Sequence, residues 1–405
     1  MLATYLALTA LAAAPVDPAA PPTFSRDIAP ILQRSCQDCH RPGEAAPMPL
    51  LTYTDARPHA RSIKKAVSKR EMPPWHADPA HGTWKNEMRL EEAEIAAISA
   101  WVDSGAPEGD PKELPPPRQF TEGWAIGKPD QVFTIPREFT VPAQGTVKYQ
   151  YFFVPTGFTE DRWVQKAEAR PGNRAVVHHI IVFVLGPDEM SLDDKKLWQS
   201  HLCGTAPGSD ADVFPEGTAK LIPRGANLLI QMHYTPNGKV EKDRSSVGLI
   251  FATKPVRKQF RVQGIMNNRF RIPPGASAHE VRSSYTFRED STILSFMPHM
   301  HLRGKSFRYD LEMPGGRSVP LLSVPRYDFN WQHSYVPIEP INAPRGTRIH
   351  CTALFDNSSA NKANPDPTKE VRWGDQTWEE MMIGFLNFTM DGEDLLDTGA
   401  PAQGF

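Results

Sequence analysis

Five histidines and a methionine after residue 170 have the types and spacing of metal ligands. His299 and His301 follow Ser291 to Phe296, an apolar run that predicts a buried strand. Side chains alternate between the faces of a strand, so these two imidazoles project from one face as a chelating pair. The alternative interpretation is a pair of hydrogen-bonded histidines at a strand end.

The third ligand of this pair is expected to be Met381 or Met382. A thioether beside imidazoles favours Cu(I) and leaves a coordination position open, whereas a structural zinc site has four strong ligands.

A second set of ligands consists of the adjacent pair His178 and His179 together with His233. All three lie in apolar runs that predict strands. Neighbouring residues on a strand point to opposite faces, so His178 and His179 can bind one metal ion only where the strand bends. One of two such histidines is often a hydrogen-bonded residue of a β-rich core.

The run Cys36-Gln37-Asp38-Cys39-His40 has the C-x-x-C-H spacing of a haem c attachment site. Two thiols at this spacing bond to the haem vinyl groups, and His40 is the proximal iron ligand. A zinc half-site needs a second ligand pair and a thioredoxin-type redox pair needs a βαβ context; neither is visible in the sequence. Met72 is the expected sixth ligand, with His76 and His81 as alternatives.

Helical periodicity flanks this motif. Ser25 is expected to cap a helix that carries Ile28, Ile31 and Leu32 on one face, and a closing helix is predicted from Leu90 to Ser104. This order of helix, motif, loop and helix resembles a class I cytochrome c.

The composition of the chain and the positions of its proline-rich and turn-forming segments divide the 405 residues into parts. Forty prolines and short alternating runs after residue 130 predict a mainly β chain. We expect two tandem antiparallel β-sandwich domains of jelly-roll type, preceded by a small all-α cytochrome c domain. The expected parts are a signal peptide at 1–20, the cytochrome c domain at 22–111, a proline-rich linker at 112–120, and the sandwiches at 121–258 and 259–405. The clearest predicted strands are Val147 to Val154, Ile180 to Leu185, Leu228 to Tyr234, Ser246 to Ala252 and Thr347 to Phe355.

Charge and hydropathy exclude several classes of protein. The net charge of −2 gives no electrostatic basis for binding nucleic acid. Beyond the apolar run Leu2 to Ala14, no stretch approaches the ~18 apolar residues of a membrane span. That run and the haem motif predict export, to the periplasm or outside the cell.

The ligand sets, taken in order, resemble the copper type II ascorbate-dependent monooxygenases, the family of peptidylglycine α-hydroxylating monooxygenase and dopamine β-monooxygenase. The resemblance covers about residues 131–391. It rests on the pair His178–His179, on Gln231 and His233, on Ile272 to Gly275, on His299 to Gly304, and on Met381.

The resemblance implies two copper ions with different tasks. His178, His179 and His233 would hold an electron-transferring copper. His299, His301 and Met381, preferred to Met382 by the same matching, would hold the copper that activates molecular oxygen. With one covalently bound haem c, the chain is expected to be an exported copper monooxygenase. It would hydroxylate a C–H bond of a small substrate with electrons relayed from an external donor. The alternatives are a non-catalytic periplasmic electron-transfer or copper-binding protein and a hydrolytic zinc enzyme.

Two departures from the family pattern carry further expectations. Cys203 and Cys351 match cysteines that the family uses in disulfides, but Met382 stands where one partner is expected, so the two either pair with each other or are both free. The residues that hold a peptide carboxylate in the amidating enzyme are replaced by Met297, Ile383 and Phe385. The substrate is therefore expected to be small and neutral or apolar, and not a glycine-extended peptide.

Overall fold

The computed structural model describes residues 21–44, 46–121, 123–189, 194–206, 209 and 211–397. The expected signal peptide at 1–20 lies outside the described residues.

The chain is mainly β, as its alternating pattern predicts. The strands of the first half are β1 (Gln131–Thr134), β2 (Phe139–Val141), β3 (Gln150–Pro155), β4 (Arg162–Arg170), β5 (Val177–Leu185), β6 (His201–Thr205), β7 (Asp212–Val213), β8 (Thr218–Ile222), β9 (Asn227–Tyr234), β10 (Glu241–Asp243) and β11 (Ser246–Phe251). Those of the second half are β12 (Lys258–Gln259), β13 (Arg261–Met266), β14 (Arg271–Ile272), β15 (His279–Thr286), β16 (Ser291–His299), β17 (Gly304–Glu312), β18 (Ser318–Val324), β19 (Ile341–Ala343), β20 (Arg348–Phe355), β21 (Val371–Arg372) and β22 (Ile383–Met390). The five clearest predicted strands all occur, with their ends shifted by a few residues.

The first group of strands forms two facing sheets around one core. One sheet has the order β1-β11-β4-β8-β12, with β7 paired to β4, and the other has the order β3-β9-β5-β6. Inward side chains from both sheets, such as Val164, Leu249, Ile180 and Ile230, pack in one apolar cluster. This alternation of buried and solvent-facing residues is how a sandwich removes apolar surface from water.

The second group repeats this arrangement. Its sheets have the orders β13-β22-β16-β19 and β15-β20-β17-β18, and their inner faces share a core that includes Phe296, Leu386, Phe307 and Cys351. Two short two-stranded sheets, β2–β10 and β14–β21, contribute Val141 to the first core and Ile272 and Val371 to the second.

The described helices are short and, with one exception, precede the strands. They are a π-helical turn (Phe24–Ile28), α1 (Ala29–Ser35), α2 (Tyr53–Ala56), α3 (Ala60–Ser68), α4 (Glu92–Asp103), the 3₁₀ turns Arg57–His59 and Pro111–Glu113, and α5 (Asp194–Gln199). Those before residue 104 surround a separate apolar cluster that contains Leu32, Ile63 and Trp101. The first turn is capped by the side chain of Thr23 and not by Ser25, whose hydroxyl is buried. The predicted closing helix is α4.

The segment between α3 and α4 leaves the helical cluster and packs on the second sandwich. Trp75 and Trp84 belong to its core, where their rings lie 4.9 and 5.5 Å from the ring of Tyr335. The amide of Lys85 donates to the carbonyl of Val336 at 2.8 Å, and the side chain of Asn86 donates to the carbonyl of Ser334 at 2.7 Å. The helical part is therefore held on the sandwich by buried aromatic rings and paired backbone groups.

Helix α5 lies between the two sandwiches. The ring of Trp198 packs 5.3 Å from Phe183 of the first sandwich and 4.9 Å from Phe385 of the second. Among the residues described, none of the helices combines the length and apolar character needed to cross a membrane.

Candidate metal centres

A β-bulge brings the adjacent histidines of the first cluster together. In the pairing of β5 with β9, Val177 lies opposite Tyr234 and His179 opposite His233, so His178 is an extra residue on β5. A bulge bends its strand and changes the direction of its side chains. Adjacent residues at a bulge therefore need not point to opposite faces of the sheet. His178, His179 and His233 consequently converge, with one ligand atom from each lying within 4.8 Å of the others.

The spacing and burial of these imidazoles fit a metal ion. The Nδ1 atoms of His178 and His179 are 3.3 Å apart, which matches two nitrogens at ~2.0 Å from one ion with a tetrahedral angle between them. His179 Nε2 and His233 Nδ1 are buried and have no hydrogen-bond partner in the described part of the chain. Leaving such an atom unpaired costs ~1–3 kcal/mol, a cost that coordination through Nδ1 would remove at His233.

Burial keeps this cluster neutral. It lowers the pKa of His233 to about 3 and places the pKa of His179 well below its usual value, with the neighbouring imidazoles adding to both effects. Neutral imidazole is the form that binds a metal ion, so no proton has to be displaced near pH 7.

Strand register positions the second cluster. His299 is the last residue of β16 and lies opposite Ile383, the first residue of β22, so His301 and Met381 each lie two residues beyond the paired ends of these strands. The imidazoles of His299 and His301 have their centroids 5.2 Å apart. Met381 faces the same cavity as both histidines, whereas Met382 is fully buried in the core of the second sandwich.

Hydrogen bonds fix the orientation of both imidazoles in this cluster. His299 Nδ1 lies 2.6 Å from the amide oxygen of Gln332, and His301 Nδ1 lies 3.2 Å from the carbonyl oxygen of Glu379. Both rings thus use Nδ1 for an oxygen acceptor and leave Nε2 for a metal ion, the arrangement by which outer residues fix the tautomer of a ligand.

The backbone behind the second cluster is held by a buried carboxyl group. Glu380 accepts from the amides of His301 at 2.8 Å and Arg303 at 2.6 Å, and burial raises its pKa to about 8. The guanidinium of Arg303 donates to the buried Asn357 at 2.9 Å. This network fixes the turn that carries His301 and the residue before Met381.

The two clusters face one cavity of about 270 Å³. The candidate ligands among its wall residues are His179 of the first cluster and His299, His301 and Met381 of the second. The rest of its wall is mainly aromatic and aliphatic, contributed by Tyr149, Tyr151, Phe153, Ile181, Leu197, Trp198, Leu229, Gln231 and Asp375. No lysine or arginine is among these described wall residues.

The polar–aromatic run Tyr327 to Gln332 predicts a strand when its sequence is taken alone. In the structure, residues 325–334 instead form a loop between β18 and β19. This metal-site loop contributes Gln332, which contacts His299, and Phe329, whose ring lies parallel to that of His178 at 5.6 Å. The composition of Tyr327 to Gln332 is unusual, yet the sequence favours simple packing there, because nothing local indicates that the loop reaches both clusters.

The C-x-x-C-H motif follows α1 directly. His40 Nδ1 lies 3.1 Å from the carbonyl oxygen of Met48, which leaves Nε2 for an iron ligand. Burial, followed by the charge of Cys39, raises the pKa of Cys36 to about 12, opposite to the lowered pKa of a redox-active thiol. These donors fit a haem better than a thiol–disulfide pair. Met72 is half-buried in the turn after α3 and lies beside the segment that docks on the second sandwich.

The expected linker packs against the same motif. Arg118 forms an ion pair with Asp38 at 2.7 Å and lies, with Arg41, over the ring of Phe120.

The remaining cysteines are free and buried in different places. Cys203 belongs to the core of the first sandwich and Cys351 to that of the second. Of the two possibilities that the sequence leaves open, the structure therefore has both thiols free.

Comparisons with known proteins identify no family. No protein-family model matches the chain, and no curated protein matches it. Solved structures that match include the infectious bursal disease virus Gt strain, with 8% identity over 67% of this chain and 74% of that one at a TM-score of 0.19. Others are PBCV-1 VP54, with 7% identity over 71% and 99% and a TM-score of 0.21, and a Paenibacillus xanthan lyase, with 8% identity over 65% and 26% and a TM-score of 0.18.

Proposed function

We propose that this protein is an exported, haem-containing copper monooxygenase that hydroxylates a C–H bond of a small substrate with molecular oxygen. The observation that carries the proposal is one cavity that is lined by His299, His301 and Met381 and also by His179, a member of the three-histidine cluster. Two unlike metal centres that share a mainly apolar cavity are suited to a reaction in which one centre meets oxygen and substrate and the other supplies an electron.

The donor atoms favour copper over zinc, magnesium or calcium. Imidazoles suit copper, a thioether selects Cu(I), and the ligand sets contain no carboxylate. Bound copper would supply the one-electron redox chemistry that the use of oxygen requires. His178, His179 and His233 would hold the electron-transfer ion, and His299, His301 and Met381 the ion that faces oxygen and substrate.

The surrounding residues of the chain hold these ligands in place. Gln332 and the carbonyl of Glu379 fix the rings of His299 and His301, and Glu380 fixes their backbone. The aromatic wall keeps the cavity apolar, which strengthens electrostatic interactions inside it.

The wall also indicates the class of substrate. A cavity without lysine or arginine among its described wall residues has no partner for a carboxylate or phosphate. Ile383 and Phe385 lie in an apolar cluster beside the cavity, and Met297 packs against it. We therefore infer a small neutral or apolar substrate and not a glycine-extended peptide.

The N-terminal part would deliver electrons from an external donor. Cys36 and Cys39 would attach haem c, with His40 and Met72 as axial ligands. In this proposal the short helices around 24–103 form an all-α, class I-like cytochrome c domain. It precedes two jelly-roll-like copper domains of the type II ascorbate-dependent monooxygenase family, in the periplasm or outside the cell.

Metal and haem stoichiometry tests the proposal. Protein matured in a host that attaches haem c is expected to carry two coppers and one haem per chain, and to couple oxygen consumption to oxidation of a small neutral substrate. Met381→Ala is expected to lose one copper and all turnover. Met382→Ala, the matched control, keeps both coppers but destabilises the core by ~2–5 kcal/mol.

The contrary results point to other functions. One haem with no copper under copper-replete conditions would leave an electron-transfer protein. Bound copper without oxygen consumption would leave a copper-binding protein.

A further inference from the structure

Phe329 lies between the two histidine clusters. Its ring is parallel to that of His178 within 7° at 5.6 Å, and meets the ring of His301 edge-on, at 83° and 5.8 Å. The side chain is 7% exposed, so its position is set by these neighbours and not by solvent. A displacement of either imidazole therefore displaces or unpacks this ring.

A second contact joins Phe329 to His299. The side-chain oxygen of Gln332 lies 2.6 Å from His299 Nδ1, and its side-chain nitrogen donates to the carbonyl of Phe329 at 3.1 Å. The side chain of Gln332 thus links His299 of the second cluster to the backbone of Phe329. The ring of Phe329 in turn stacks on His178 of the first cluster.

The rest of the metal-site loop is anchored at the second cluster. The hydroxyl of Tyr327 donates to the carbonyl of Met300 at 2.7 Å and accepts from its amide at 3.0 Å. Met300 is the residue between His299 and His301, so ordering those two ligands also orders the start of the loop.

We propose that Phe329 is a positioning residue that couples the two clusters, so that a metal ion bound at either one increases the affinity of the other. The inference rests on the proposed metal sites. An ion at His299, His301 and Met381 fixes those rings, and through Gln332 and Phe329 it fixes the ring of His178. The first cluster then binds its ion with less loss of conformational freedom. By linkage the effect is the same in the opposite direction.

Anaerobic Cu(I) titration against a chromophoric chelator measures this coupling. His299→Ala gives the affinity of the first cluster alone, and His233→Ala gives that of the second alone. The coupling factor is a ratio of two products. Its numerator is the product of the two affinities measured in the protein with both clusters intact, and its denominator is the product of the two single-cluster affinities. We expect a factor on the order of ten with Phe329 present, within the usual range for coupled sites.

The same cycle in a Phe329→Ala background is expected to give a factor of about one. A purely structural loss lowers all affinities together and cancels in the ratio. Phe329→Tyr keeps the ring and is expected to restore the coupling, whereas Phe329→Leu keeps apolar bulk alone and is expected not to.

The outcomes separate the inference from the proposed function. Two bound Cu(I) ions with a factor of one in the unchanged protein would overturn the coupling alone, as would an unchanged factor in Phe329→Ala or Phe329→Leu. Fewer than two bound ions in the unchanged protein would overturn both the coupling and the monooxygenase assignment.

Discussion

Individual candidate ligands in this protein depend on neighbours that hold their rings. The imidazole of His299 can rotate about two side-chain bonds, and its contact with Gln332 selects one orientation and one tautomer. The fully buried Glu380 holds the backbone of His301 by accepting a hydrogen bond from its amide. Loss of such an outer residue typically lowers metal affinity by about 10–100-fold.

Gln332→Ala is expected to weaken Cu(I) binding at the second cluster by about 10–100-fold while leaving the number of sites at two. The reason is that His299 loses the acceptor of its Nδ1 proton. Chelator competition in the His233→Ala background measures the affinity of this cluster alone. Gln165→Ala, which removes a hydrogen bond to the carbonyl of Phe214 in the first sandwich, is the control. Equal affinities in the two variants would exclude the role of Gln332.

Among the secondary-structure elements, strand pairing decides which residues meet. The bulge at His178 brings an adjacent pair of candidate ligands together, and the pairing of β16 with β22 ends two residues before His301 and two residues after Met381. One residue of slip in either pairing would send these side chains to the other face of the sheet. Both clusters thus depend on pairings between strands that are far apart in sequence.

The segment between α3 and α4 is the element that holds the helical part in place. Trp84→Ala is expected to lower the free energy of unfolding by ~3–5 kcal/mol, because it leaves a cavity between Phe296 and Tyr335. The same change is expected to release the helical part once the chain is cut at a protease site inserted between Thr121 and Trp124.

Size-exclusion chromatography after the cut measures this release. The unchanged chain is expected to stay associated through Trp75, Trp84 and their backbone contacts. Trp378→Ala is a matched control, because Trp378 is 38% exposed and is not one of the rings that dock the helical part, so its removal is expected to leave the two fragments associated. Separation of the unchanged protein would contradict the docking interpretation.

For the molecule as a whole, burial of histidines makes stability depend on pH. Burial lowers the pKa of His333 to about 4, and its ring is 5% exposed between Trp331 and Trp75. In the unfolded chain this group titrates near 6.5, so between about pH 6.5 and 4 the unfolded state binds a proton that the folded state does not. Its contribution to stability is present above pH 6.5 and is lost as pH falls through this window.

His333→Phe is expected to remove ~1.4 kcal/mol per pH unit from the decrease in stability over this window. Denaturant unfolding of the metal-free protein at pH 7, 6 and 5 measures the difference between the two chains. Titratable groups that both proteins share contribute equally to the two curves and cancel in the comparison. One of them is Glu380, whose raised pKa of about 8 stabilises the folded state as pH falls, the opposite effect to that of His333. Parallel stability curves for the two proteins would contradict the prediction.

Local sequence patterns are enough to predict the mainly β class, the five clearest strands and the residue types of the candidate ligands. Alternation of apolar and polar residues predicts a strand, and ligand chemistry depends on residue type and short spacing. The motif Cys36 to His40 and the pair His299 and His301 are local in this sense, so both can be recognised from the order of the amino acids alone.

How these parts meet depends on tertiary packing. The bulge at His178, the choice of Met381 over Met382 as a cavity residue, and the burial of Cys203 and Cys351 in separate cores all follow from pairing between distant strands. The proposed roles of Phe329 and Gln332 depend on a loop that Tyr327 ties to Met300 and that ends at Tyr335, whose ring packs on Trp75. Packing between segments far apart in sequence leaves no periodic pattern in either segment. From its local sequence alone, such a loop is therefore predicted to be an ordinary packed segment of the core.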